Sequence, residues 1–538
     1  MTGGSLSATM KTVRLAALDV GSNSVHMVIA DVHPDGRIEV VDRVKEMVRL
    51  GRRAFVTGRL GREEMELAVQ TVRTYRRLAR ARKVARMRAV ATSAVREARN
   101  GRTFVDRLRR ETGLAVEIIS GEQEARLTFR AARHALALAG GPYLLIDIGG
   151  GSIELGLVQD GRSLWLKSLP LGVARLTDRF LLHDPPRPGE LRKLERHLER
   201  TLGPTMAQVR KAGVVRAIGT SGTINTLVVM ARSAQLAEPD RIHGVTIRAA
   251  EISRLRHTIL GVGPARRAEL RGMDAKRVDL MPAAAVLVDF LLDRGGVGEL
   301  SACAWALREG VLLELARPRG ERWESPTTVR RRSVEALAAR WVGENRHGRH
   351  VARLALSLYD GGFGHDLGLD AGARELLEYA ALLHDVGHAI DRDRHHRHGA
   401  YLIRNAELLG FSQEEVELLA HIVRTHRKQM PKPASPELAT LPASRRRQLR
   451  GMVTLLRVAD ALDRTHFGVV RDIHVIRHAG RLVIEIDPRG DDAELELWAA
   501  ERRVELLARL MGHPVSLRQE TRRSRPRRLL RPVRAVGR

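Results

Sequence analysis

LIDIGGGSIELGLVQD, residues 145–160, restates in outline a phrase met earlier in the chain: ALDVGSNSVHMVIAD, residues 17–31. Each starts as an apolar strand, passes an aspartate (Asp147 or Asp19), enters a loop of Gly and Ser or Asn, and leaves through a second strand. An acidic side chain at a strand end can hold a metal, and small residues after it let backbone N–H groups approach a phosphate closely. One such loop is common. Two in the same strand–loop–strand context predict two related lobes facing one phosphate-bearing ligand.

Outward from this doublet, strands and helices alternate. The first set runs through LAALDV, VHMVIADV, IEVVDRV, a helix from Glu63 to about Lys83, and MRAVAT. The second runs through LLIDI, IELGLV, LWLKSLP, a helix near 189–211, and VVRAIGT. This repeated α/β pattern divides the chain into an N-terminal lobe (12–130) and a second lobe (131–315). A polar, breaker-rich linker (316–328) follows, then a helical domain (329–470). IHVIRH, RLVIEID, a helix over 491–511 and PVSLR predict a small α+β piece (471–520), and residues 521–538 read as a disordered basic tail.

With 538 residues, 43% hydrophobic and 29% charged, the composition is that of a soluble multidomain protein. No apolar run is long enough to span a bilayer and the N-terminus lacks a signal-peptide core, which points to the cytoplasm and away from membranes. The formal net charge is +29. Such a field attracts polyanions. Only 3% of residues are aromatic, too few for a base-stacking surface, so nucleic acid is not predicted as a partner. The lone Cys303, within SACAWAL, reads as a buried structural thiol.

Three further segments supply chemistry. ATSAVR offers Thr92, Ser93 and Arg96 after a strand; SGEQEARLTF places Glu122 and Glu124 at a helix start; AIGTSGTI brings Gly219, Thr220 and Ser221 in a third small-residue turn. Phosphoanhydride hydrolysis needs such parts: donors around the oxygens, a cation to offset charge, and a carboxylate to orient or deprotonate water. Together with LPLGVARLTDRF and ALREGVLL, these segments resemble the exopolyphosphatase / guanosine pentaphosphate phosphohydrolase family. That resemblance implies the two-lobed actin-like, sugar-kinase and heat-shock ATPase fold (duplicated ribonuclease H-like domains). It implies Glu124 as general base and Asp147, Glu154 and Asp19 around Mg²⁺ or Mn²⁺. It also implies phosphoryl binding by Ser22, Asn23, Ser24, Gly149, Gly150, Gly151, Ser152 and Arg96, a substrate that is inorganic polyphosphate or guanosine pentaphosphate, and a homodimer.

The helical domain carries a second ordered set: His347, His384-Asp385, His398, His426 and Asp460. Imidazole and carboxylate suit hydrolytic divalent metals. The order resembles HD-type metal phosphohydrolases, which implies one or two divalent ions. In polyphosphatases such a domain also occurs in degenerate form as a substrate-binding extension; here the ligand types are all present. His350, His388, His395, His396 and His421 read as solvated or supporting residues.

Overall fold

A computed structural model describes residues 12–33, 37–136, 138, 141–233, 242–316, 325–427, 441, 443–478, 481–490 and 493–519. The expected tail and most of the expected linker lie outside these residues. The chain divides into two compact units: Met1–Ser333 with Leu408–Glu414, and Val334–Glu407 with Glu415–Arg538.

The first unit contains two sheets. One orders its strands β3-β2-β1-β4-β5, from β1 (Val13–Val20), β2 (Ser24–Val32), β3 (Ile38–Met47), β4 (Arg86–Ala91) and β5 (Val116–Ile118). The other runs β10-β11-β9-β6-β7-β8, from β6 (Tyr143–Ile148), β7 (Ile153–Gln159), β8 (Arg162–Leu169), β9 (Arg216–Thr220), β10 (Thr246–Arg248) and β11 (Glu299–Ala302). In each sheet the first three strands form an antiparallel meander, and the first pairs in parallel with the fourth (β1 with β4, β6 with β9). The repeated phrase therefore marks a repeated sheet.

Strand alternation gives β1 two buried faces. Ala16, Leu18 and Val20 join one core with Val69, Val72 and Leu108, while Leu15 and Ala17 join another. The first core is closed by α2 (Arg62–Ala81) and α4 (Gly101–Thr112), whose apolar residues fall on one stripe. The second is closed by Leu307, Val311 and Leu312 of α12 (Leu307–Ala316). This corrects the lobe boundary at 315: α12 packs on the first sheet. An amphipathic helix does not declare which sheet it will cover, so its place in the chain misleads. The linker is also shorter than expected, since Ala316 ends α12 and Pro326 opens the next helix. Cys303 is fully buried, its Sγ 3.2 Å from the Trp305 carbonyl oxygen, as the sequence suggests.

The second unit is helical around Arg346–Leu358, Ala371–Leu383, His395–Asn405, Gln413–Thr425 and Ala443–Ala461, and it ends in a three-stranded sheet. There β12 (Val470–His478) and β13 (Arg481–Pro488) form the expected hairpin. The helix Glu494–Met511 then leads to β14 (Val515–Gln519), parallel to β13. Residues 408–414, expected in the helical domain, belong to the first unit; Phe411 is buried there under the Arg330 guanidinium. No described helix is long and apolar enough to cross a membrane.

Candidate active site between the lobes and a second histidine centre

Asp19 and Asp147 are the penultimate residues of β1 and β6, at the carboxyl ends where open α/β sheets bind ligands. The loops that follow are built alike. Gly21 N–H donates to the Ser24 carbonyl at 3.1 Å, and Gly149 N–H to that of Ser152 at 2.9 Å. Each loop then docks its own carbonyls on a helix start. Ser22 C=O accepts from Gly51 N–H (2.7 Å) at the head of α1 (Gly51–Thr57). Gly149 and Gly150 C=O accept from Val173 and Ala174 N–H (both 3.0 Å) at the head of α6 (Val173–Phe180). With the carbonyls engaged there, loop amides are left to serve an anion.

These loops line a cleft of about 120 Å³, room for a phosphoryl group or about four waters at ~30 Å³ each. Asp19, Ser22, Asn23, Ser24, Thr92, Glu124, Asp147, Gly149, Gly150, Gly151, Ser152, Glu154 and Ser221 all line it. Three expected phosphate ligands do not. Ser93 donates its hydroxyl to Glu97 at 2.8 Å, Gly219 lies inside β9, and Thr220 is wholly buried at the end of β9 in register with Asp147. Arg96 does not line it either; it acts through Glu124, donating to Oε2 at 2.9 Å and to the Ile119 carbonyl at 3.1 Å.

Glu124 is the third residue after Gly121, the first of α5 (Gly121–Leu136), and is 8% exposed. Burial raises its pKa to about 7, against the opposing pull of Arg96 and with help from Asp19 and Asp147. Burial likewise raises Asp19 to about 7, raises Asp147, and raises Glu154 well above the usual range, with Glu124 and Asp147 adding to the effect. Ser168 donates to Glu154 Oε1 at 2.8 Å and Thr128 to Asp147 Oδ2 at 3.3 Å. Asp19 Oδ1 is buried without a hydrogen-bond partner. Three buried acids, with the half-buried Asp19 and its orphaned carboxylate oxygen, fit a hard divalent cation, which takes one or two carboxylates and fills its shell with water and phosphate oxygens.

The sequence reading missed three cleft residues. His26 pairs with Asp19 in the β1–β2 register where Glu154 pairs with Asp147 in β6–β7. The aligned phrases SVHM and SIEL carried that signal. Arg308 donates to His26 Nδ1 at 2.8 Å, so Nε2–H faces Ser24 Oγ at 2.6 Å. Burial, then Arg308, holds His26 neutral. The two lobes thus offer one acid and one neutral group at equivalent positions. Arg308 lies in the quoted ALREG; Arg277, near Thr223 Oγ1 at 3.3 Å, had no signal among 92 Lys and Arg residues.

A larger cavity of about 680 Å³ lies on the other side of α5, lined by Arg86, Arg88, Arg126 and Arg130. Its cations are engaged: Arg88 by Glu117 and Glu314, Arg126 by Glu122, and Arg130 by Glu314. Asp19, Glu124, Asp147 and Glu154 line the smaller cleft instead.

In the helical unit His347, His384, Asp385, His426 and Asp460 do come together. His347 and His384 face each other through Nε2 at 3.2 Å, and Asp460 Oδ1 lies 3.4 and 3.6 Å from them. His398 does not join: its Nε2 is 4.0 Å from Asp391, and the ring is a third exposed. His395 takes that place, because as the first residue of its helix it packs on the turn Val386–Ala389; its Nε2 is 3.2 Å from His426 Nε2 and 3.5 Å from Asp385 Oδ1. Against burial, Asp385 and Asp460 raise His384 to about 9, whereas burial and the neighbouring His384 lower His426 to about 3.

Comparison with known proteins agrees with this geometry. Residues 28–318 match the Ppx/GppA phosphatase family, and residues 329–479 match Ppx/GppA phosphatase, domain III. The chain is 33% identical over 302 residues to Exopolyphosphatase 1 of Mycobacterium bovis, covering 56% of this chain and 88% of that protein. It is 32% identical over 305 residues to Exopolyphosphatase 1 of Mycobacterium leprae, covering 56% and 89%. Among solved structures, the Aquifex aeolicus Ppx/GppA family member aligns with a TM-score of 0.51 at 30% identity, over 58% of this chain and all of that one. An exopolyphosphatase from Cytophaga hutchinsonii aligns with a TM-score of 0.54 at 28% identity, over 56% and 97%. The chain is therefore a phosphoanhydride hydrolase and belongs to the Ppx/GppA phosphatase family.

Proposed function

We propose that the inter-lobe cleft removes terminal phosphoryl groups from inorganic polyphosphate by direct attack of water. The carrying observation is Glu124: buried, salt-bridged to Arg96, raised to about 7, and lining the same cleft as both phosphate loops. A general base poised near the working pH is most effective. Loops 21–24 and 149–152 hold the terminal phosphoryl with amides and hydroxyls, and Arg308 and Arg277 add positive charge beside it. Glu124 accepts a proton from water at a carboxylate oxygen while Arg96 fixes the carboxylate plane. Asp19, Asp147 and Glu154 would hold Mg²⁺ or Mn²⁺, which when bound offsets phosphoryl charge. Support for polyphosphate comes from the names of the relatives and from the net charge of +29. Guanosine pentaphosphate would use the same groups. Orthophosphate release should be faster from long-chain polyphosphate than from guanosine pentaphosphate at matched phosphate concentration, and EDTA should abolish both. The reverse substrate order would overturn the assignment.

The pH profile tests the base separately. Arg96 lowers the Glu124 pKa, so its loss raises it, and Glu124 then stays protonated to higher pH. Arg96→Gln should move the acidic limb of kcat/KM upward by about one unit or more, with lower turnover at pH 7. An unmoved limb would remove Glu124 as its source.

The helical unit is proposed to be of HD type and to bind divalent cations, and the protein to form a homodimer; a monomer by light scattering would refute the latter.

A further inference from the structure

We infer that the arginine-lined cavity on the far side of α5 is an effector site for a short linear phosphate chain, acting on the cleft through α5 and α12. Binding there is independent of the substrate assigned to the cleft, although its effect is read at the cleft.

Charge comes first. Arg86 and Arg88 reach the cavity from β4 and Arg126 and Arg130 from α5, whereas Glu117 and Glu314 are the carboxylates that line it. Among the described residues, four guanidiniums against two carboxylates leave a surplus of two positive charges. Arg86 donates to the Leu315 carbonyl at 3.0 Å, an uncharged partner that leaves its charge standing. Arg126 pairs with Glu122 at 2.7 Å, but their side chains are 60 and 72% exposed, and such an i,i+4 pair is weak. Glu314 is the main tie: its two oxygens accept from Arg88 and, at 3.1 Å, from Arg130. A carboxylate held between two guanidiniums stands where phosphoryl oxygens can stand, and arginine forks phosphate as readily as carboxylate. An entering polyanion therefore exchanges one set of ion pairs for another.

Size and lining select the class of ligand. The cavity holds about 680 Å³ and the cleft about 120 Å³, so where the cleft admits one phosphoryl group the cavity admits a chain of several. Among the described residues no aromatic side chain lines it, which leaves a nucleobase without a stacking platform. Its apolar part is Leu127, Leu315 and Ala316, too little to hold a hydrophobic ligand.

Both helices that frame the cavity also reach the cleft. On α5, Gln123, Arg126, Leu127 and Arg130 form a stripe at helical spacing that lines the cavity. From the same helix Glu124 lines the cleft and Thr128 donates to Asp147 there. α12 starts at the cleft with Leu307 and Arg308 and ends at the cavity with Glu314, Leu315 and Ala316. The two helices meet through backbone, since a Cβ on Gly310 would overlap the Leu127 carbonyl. Packed that closely, neither moves without the other. The Arg130–Glu314 pair clasps them on the cavity side. A phosphate chain that takes Arg88 and Arg130 from Glu314 opens the clasp, and the shift is felt where α5 carries Glu124 and α12 carries Arg308. Displacement at a reacting centre slows it, so the effector lowers turnover.

The test uses the full chain at physiological salt, with tripolyphosphate as probe. In the Glu124→Gln background, which prevents its hydrolysis, calorimetric titration should count one equivalent fewer for the double change Arg86→Gln and Arg126→Gln than for the parent. Glu314→Gln removes the competing carboxylate and should instead tighten binding at that site by about tenfold. A purely structural role for these side chains does not give opposite signs. ATP offers the same oxygens on a nucleoside and should bind the site more weakly; tighter binding of ATP would overturn the choice of a bare chain. With Glu124 intact, tripolyphosphate should lower kcat on long-chain polyphosphate by about fivefold or more, the usual reach of coupling between sites, and excess substrate should not restore it. The Arg86/Arg126 double variant should keep the basal kcat and escape that loss. Equal stoichiometry in parent and double variant would overturn the site, and inhibition fully relieved by substrate would overturn its action on the cleft.

Discussion

Replacing Glu124 by Gln should lower orthophosphate release from polyphosphate by about 10²–10⁴-fold, the usual contribution of a positioned general base. At ~1.4 kcal/mol per decade this is about 3–5 kcal/mol of transition-state stabilisation. Gln keeps the volume and an oxygen for the Arg96 hydrogen bond, 2.9 Å in the native protein, but cannot accept the proton. KM should hold, because the phosphoryl is carried by the loops and Glu124 meets the water. The acidic limb of the pH profile should disappear along with the rate. Stability should not fall: burial already penalises the charged form of Glu124, and a neutral amide escapes that penalty. Near wild-type turnover in the purified, folded variant would remove Glu124 from the mechanism, and with it the observation on which the assignment of the cleft depends.

Much of the lobe site was legible because its chemistry requires local patterns. A strand ending in Asp and followed by Gly and Ser is written in consecutive residues, and a helix-start glutamate two positions before Arg126 sits inside a motif. Arg277 illustrates the opposite case. Its guanidinium arrives from an irregular segment just before α11 (Met281–Gly295), and nothing local marks it among so many arginines. His26 lay between: the strand phrase contained it, but its meaning depends on register. Only pairing of Asp19 with His26 and of Asp147 with Glu154 makes the two positions equivalent.

The histidine centre shows a different limit. Residue order brought His347, His384, Asp385, His426 and Asp460 to notice, yet it chose His398 over His395. Both lie in one helix, three residues apart, so spacing leaves them on neighbouring parts of one face. The choice is made by the turn at Val386–Ala389. There Gly387 comes so close to the His395 carbonyl and the Gly399 amide that a Cβ would overlap both. That contact seats the first residue of the helix at the centre and leaves His398 at the rim. Close approach of backbones is a tertiary fact.

Gly172→Ala should be the most damaging single methyl in the cleft. The backbone itself does not require glycine: φ −64° and ψ 152° are open to any residue. At such compatible positions Gly→Ala ordinarily stabilises by about 0.4–1 kcal/mol through the unfolded chain. Space reverses the sign. A Cβ at 172 would overlap the Gly150 carbonyl and the Gly151 amide nitrogen, both backbone atoms that no rotamer change can move. The loop cannot retreat freely, since Val173 and Ala174 N–H hold its carbonyls at 3.0 Å and Arg175 Nε holds the Gly151 carbonyl at 3.0 Å. Either α6 or the phosphate loop must shift, at an overpacking cost of about 1–3 kcal/mol. A displacement near 1 Å at a reacting centre costs roughly 10² in rate. We therefore expect kcat/KM on polyphosphate to fall by about two decades, with KM rising because loop amides are displaced, and the melting temperature to drop. Gly189→Ala is the control: it sits near the start of α7 (Pro188–Lys211), where an added methyl would meet no atom within 4 Å, and should leave kcat/KM and KM unchanged while the melting temperature holds or rises slightly. If Gly172→Ala kept wild-type KM and kcat, the docking of the loop on α6 would not be what aims its amides at the phosphate.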